Sequence, residues 1–179
     1  MLARVGVVSV FCLMLLSLPA WAQKRRFGDP VPYQLPPACG KMTETFVTKY
    51  SVPHGQTQPQ AGKALVYFIQ SYAENAPILH AAQVRLGLDG VWTGAALSGS
   101  YFSFSVDPGI HHLCAVTDQS SQNGYPVEAV ALAHFTAEAG AVYYFESKVG
   151  GEATLLNVDS DEGDFLVANL QSTTSYPKR

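Results

Sequence analysis

Apolar and polar positions along this chain fall mostly into short runs of period two, punctuated by glycine, proline and asparagine. The stretch 101–117, YFSFSVDPGIHHLCAVT, shows the pattern most clearly. Phe102, Phe104 and Val106 alternate with Tyr101, Ser103 and Ser105, so one face packs and the other stays partly wet. Asp107-Pro108-Gly109 supplies a proline where a fixed negative φ is wanted and a glycine where positive φ is wanted. With 110–117 returning as the partner strand, the whole stretch predicts a central hairpin.

The same reasoning predicts strands over 43–52, 63–71, 83–88, 91–96, 128–136, 142–149 and 153–158. KALVYFIQS at 63–71 is apolar on both faces and short, which suits a strand covered on both sides. Asp89-Gly90 is a two-residue hairpin turn, and 137–140 is expected to join another hairpin. Residues 118–126, with Asn123-Gly124, form a polar loop. Asp159 and Ser160 can cap a helix with an acidic first turn, and Phe165, Leu166 and 168–170 give it an apolar side. The fold class is therefore all-β: an antiparallel β-sandwich of about seven to nine strands with one C-terminal helix.

The N-terminus stands apart from this pattern. A basic start at Arg4, an apolar run over 5–18 and Ala20-Trp21-Ala22 compose a secretory signal peptide over 1–22. Lys24, Arg25 and Arg26 oppose export of the run, and an uncleaved segment would tether the chain to a membrane. Residues 23–41 hold Pro30, Pro32, Pro36 and Pro37 and predict an extended leader. A single domain over 42–171 and a loose polar tail over 172–179 complete the expected organisation. Secretion, to the periplasm or beyond, is the expected address.

Cleavage changes both the charge and the cysteine count. It leaves 10 basic and 14 acidic residues, a net charge of −4 that disfavours nucleic acid as a partner. It also removes Cys12 and leaves Cys39 and Cys114, which an oxidising compartment would pair into a disulfide. The alternative is two buried free thiols.

Candidate chemistry is sparse, and no cofactor is implied. His111 and His112 are adjacent on a strand, point to opposite faces and cannot share one ion. A metal site would need His112 with Cys114, or His111 with His134 from a neighbouring strand, and no CxxC or HxxxH spacing supports either. Asp159, Asp161, Glu162 and Asp164 around Gly163 resemble half a calcium loop but lack its ligand spacing, and acidic capping explains them with fewer assumptions. Ser98-Gly99-Ser100 lacks the context of a nucleophile elbow. Tyr101, Tyr143, Tyr144 and Phe145 could stack on sugar rings if exposed, or fill the core. His111, His134, Asp159 and Asp161 are the binding candidates that remain.

Taken together, GKALVYFIQ, VRLGLDGVWTG, YFSFSVDPGIHHLC, ALAHFTAEAGAVYYF and VDSDEGDFLVA resemble the bacterial family termed domain of unknown function 2846. The resemblance covers about 39–170 and rests on ordered blocks. It implies an exported, often lipid-anchored protein with no assigned activity, and it supplies no catalytic residues. DPGIHHL is also similar to the turn of PEGA-type surface domains, which implies a small transthyretin-like or PEGA-like sandwich. The chain departs from lipoprotein members in having no lipobox. Three functions follow as expectations: a non-catalytic envelope module binding a protein or a glycan, a small metal-dependent or hydrolytic enzyme, and a structural subunit pairing through a strand edge.

Overall fold

A computed structural model describes residues 34–52, 58–71, 83–120, 126–149 and 153–179. The chain divides into two units, Met1–Tyr33 and Gln34–Arg179, and every described residue belongs to the second. The signal segment, the first part of the leader and Asn123-Gly124 lie outside the described residues.

Ten strands and one helix follow in the order β1 (Phe46–Ser51), β2 (Ala64–Gln70), β3 (Gln83–Leu88), β4 (Val91–Leu97), β5 (Ser100–Val106), β6 (Gly109–Ser120), β7 (Pro126–Ala137), β8 (Val142–Val149), β9 (Ala153–Val158), α1 (Ser160–Asn169) and β10 (Gln171–Pro177). They form a β-sandwich: a six-stranded sheet ordered β1-β10-β5-β2-β8-β9 and a four-stranded sheet ordered β4-β3-β6-β7. Pairing is mostly antiparallel, with β2–β8 and β5–β10 parallel.

Strand β2 explains the layering. All seven of its residues are buried. Ala64, Val66 and Phe68 face the four-stranded sheet and meet Leu86, Leu113 and Phe135 in the main core. Leu65, Tyr67 and Ile69 face the other way and pack with Tyr101 and Tyr144 under Leu166 and Val167 of α1. The doubly apolar pattern of KALVYFIQS is thus that of a strand with a sheet on one side and a helix on the other. Gly163 lets α1 approach: a Cβ there would overlap the Tyr144 ring.

A third cluster lies on the outer face of the four-stranded sheet. Residues 34–45 cross this face as a strap, and Leu35, Ala38 and Cys39 pack with Trp92, Cys114 and Val116. The Cys39–Cys114 disulfide fixes it, with Cα atoms 5.1 Å apart. Gly90 N–H donates to the Ala38 carbonyl at 3.0 Å and Trp92 Nε1 to that of Lys41 at 2.8 Å. Gly87 sits under the strap because a Cβ there would press on Ala38 and Cys39 backbone.

Three expectations are corrected. The stretch 101–117 is not a hairpin: β5 lies in one sheet and β6 in the other, so Asp107-Pro108-Gly109 carries the chain between layers. The same holds for β7 and β8. Alternation marks which face is buried, and two strands facing one core from opposite sheets alternate just as paired strands do. The polar stretch 118–126 is strand at both ends, because β6 extends to Ser120 and β7 begins at Pro126; 121–125 lie outside the described residues. The tail from 172 is not loose. Strand β10 inserts between β1 and β5, Thr173 Oγ1 donates to the Tyr101 carbonyl at 3.2 Å, and Ser175 Oγ accepts from Ala95 N at 2.9 Å.

The staple closes a separation of 75 residues. Its reduction is expected to lower unfolding free energy by roughly 4 kcal/mol, measured by urea denaturation with and without reductant. Gly163→Val, which forces α1 off Tyr144, is expected to cost about 1–3 kcal/mol in the same measurement.

Candidate functional site

A cluster of polar contacts grows from the Asp89-Gly90 turn. Both residues take positive φ, 49° and 88°, the geometry of a two-residue hairpin loop. Aspartate tolerates that conformation, and its carboxylate is then free to reach across to β6. Asp89 Oδ1 accepts from His112 N at 2.8 Å, while Asp89 N donates to the His112 carbonyl at 3.0 Å. Asp89 Oδ2 lies 2.6 Å from His111 Nδ1.

His111 is committed on both nitrogens. Its Nε2 stands 2.7 Å from the Asp107 backbone carbonyl, which can only accept. With a carboxylate at Nδ1 and a carbonyl at Nε2, the ring is held as an imidazolium. Burial opposes that charge, but the hydrogen bonds to Asp89 and Asp107 and their attraction outweigh it and raise the His111 pKa. Burial likewise works against the Asp89 carboxylate, and the bonds from His111 and His112 lower its pKa in net. The side chain thus clips the β3–β4 turn to the β5–β6 crossing, with Phe135 against the ring.

His112 turns outward. Because its N–H and carbonyl both engage Asp89, it and His134 face each other as a non-hydrogen-bonded cross-strand pair on β6 and β7. Their ring centroids are 6.3 Å apart, and both side chains are exposed. His112, Asp89 and Leu132 form one wall of a shallow groove whose other wall is Pro36, Pro37 and Ala38 of the strap.

The other candidates have plain structural places. Asp159 is the N-cap of α1, its Oδ1 accepting from Glu162 N at 2.9 Å, and Asp161 is exposed in the first turn. Asp164 accepts from Tyr144 OH, and burial together with that carboxylate pushes the phenol pKa up. Cys114 is held in the disulfide and is no partner for His112. Ser100 Oγ bonds to Leu97 N and O, closing a turn. Tyr101, Tyr144 and Phe145 are buried and Tyr143 is partly so, which makes them core rings and not a sugar platform. Glu146, a buried carboxylate, accepts from Ser71 Oγ and pairs with Lys148 Nζ at 3.0 Å. Among the described residues, no three His, Cys, Asp or Glu side chains gather into a metal centre.

His111 does not meet His134; the ladder puts His112 there. The β6–β7 pairs are symmetric about position 123, one residue out of step with a two-residue turn at Asn123-Gly124, so folding the sequence at that turn would have set the histidines in the wrong register. Asp89 was legible only as a turn residue, because its carboxylate acts on β6, a strand that is distant in sequence but pairs with β3 in the same sheet.

Protein-family models, curated proteins and solved structures were all compared, and none matches this chain. The resemblance drawn from the sequence blocks gains nothing from them.

The clip makes stability depend on pH. The His111 contribution is complete below its ordinary value of 6.5 and is lost as pH rises through the raised value. The Asp89 contribution is complete above 3.8 and is lost as pH falls through the lowered value. The pair therefore stabilises most between pH 3.8 and 6.5. Asp89→Asn is expected to flatten the decline in thermal midpoint above that window, measured by circular dichroism across pH.

Proposed function

We propose that this chain is an exported, non-catalytic interaction module that takes up an extended segment of another polypeptide along β7. The observation that carries the reading is the character of that edge. Strand β7 closes one side of the four-stranded sheet and runs for 12 residues. From 129 to 137 it reads AVALAHFTA, with no acid, lysine, arginine or proline. The pairing parity turns the N–H and carbonyl groups of Val130, Leu132, His134 and Thr136 away from β6. Natural edges are ordinarily blunted by charge, proline, brevity or cover. Among the other edges, β9 and β1 have only six residues each, with Lys49 on β1, and β4 has seven against the twelve of β7. An incoming strand would gain main-chain hydrogen bonds along β7 and meet Leu132, 56% exposed, beside it.

Export is supported by the N-terminal sequence pattern and by a disulfide that suits an oxidising compartment. The catalytic alternative is weakened because His111, its natural base, has both nitrogens engaged. The glycan alternative is weakened because its candidate stacking rings lie in the cores.

The test uses the mature chain to capture partners from envelope extract beside two edge variants. Leu132→Pro removes an outward N–H without touching the β6 ladder, and Leu132→Lys adds an edge charge. Capture by the parent and loss by both variants, with cooperative melting retained, is the expected result. Capture that survives both variants would sink the proposal. A concentration-dependent dimer abolished by both variants would identify the strand as a second copy.

A further inference from the structure

We propose that His112 and His134 form a two-histidine surface site for a divalent transition-metal ion, taking Cu²⁺ ahead of Zn²⁺. The pair is directly opposed on neighbouring strands in the non-hydrogen-bonded position, where side chains approach most closely. A metal bound to imidazole nitrogen at about 2.0–2.1 Å lies about 3.2 Å from each ring centre, so two rings can share one ion at centroid separations up to about 6.4 Å. That limit needs a near-linear N–metal–N arrangement, so from the observed 6.3 Å the exposed rings must rotate closer to hold an ion in a tetrahedral or cis arrangement, a motion open to surface side chains.

Neither ring is committed elsewhere in the way His111 is. Asp89 Oδ1 stands 3.9 Å from His112 Nδ1, beyond hydrogen-bond distance. The same carboxylate and the Asp89 amide fix the His112 backbone, so the site stands on a ladder held from both sides. Two imidazoles leave coordination positions for water, and imidazole donors suit copper, nickel and zinc, with copper bound most tightly. The ion would pin the edge strand β7 to β6.

The experiment titrates the untagged mature chain with Cu²⁺, followed by electron paramagnetic resonance, and with Zn²⁺, followed by calorimetry. One equivalent of Cu²⁺ with nitrogen hyperfine structure, and weaker Zn²⁺ binding, is the expected result. His112→Ala and His134→Ala should each weaken binding at least about ten-fold, and Asp89→Asn by a smaller factor. His111→Gln should keep the stoichiometry, and thermal melts of all four variants establish that they fold. Binding unchanged in both His112→Ala and His134→Ala would assign the ion to other residues and overturn the site, as would no binding at all.

Discussion

The Cys39–Cys114 bond determines what the four-stranded sheet can be. Without the strap, the outer face of that sheet would present Trp92, Cys114 and Val116 to water. It would also leave Arg85 uncovered, and Arg85 is 1% exposed. A guanidinium can be buried only when its donors and charge are met. The strap supplies part of this: Arg85 Nη1 donates to Glu44 O at 2.7 Å, and the group lies 4.6 Å from the centre of the Trp92 ring. Gly87 and Gly40 give the close approach these contacts need, since a Cβ at either would collide with the strap or with Trp92. The covalent link and the buried cation therefore depend on one another's geometry.

From that arrangement the rest of the layering follows. The strap covers one face, α1 covers the opposite outer face, and the main core of aliphatic residues and phenylalanines lies between the sheets. Arg85 apart, the polar chemistry with ligand-binding potential lies at the ends and edges. At one end, the two turns that join layers and strands meet at His111, and Lys63 adds an exposed ion pair with Asp107 at 3.0 Å. On the same flank, β7 leaves its main-chain groups outward and sets His134 beside His112. The features with binding potential thus share a single face.

Much of the fold was legible because burial writes itself into alternation. Strands β3, β8 and β9 carry the bounds their apolar patterns predict, and the Asp159 cap sits where a short acidic residue precedes an apolar helix face. The disulfide was legible from export and cysteine arithmetic. Strand partnership was not, because Phe102 or Phe145 alternates identically whether the next strand pairs with it or stacks across the core. Strand β10 escaped because Ser172 and Thr173 are buried by hydrogen bonding and not by apolar surface. The candidate site was half legible: the histidines were visible, while the Asp89 contacts arise only once β3 and β6, far apart in sequence, pair within one sheet.

Strand β10 also dictates an order of events. Among the described residues it is the one neighbour of β1 in its sheet, with Phe46 opposite Pro177, so the earliest described strand waits for the last. Long-range closure of this kind carries a large loop entropy and slows folding. During folding, β1 therefore remains unpaired until residues 171–177 are in place. Completion of the six-stranded sheet thus joins the two ends of the domain in one late step.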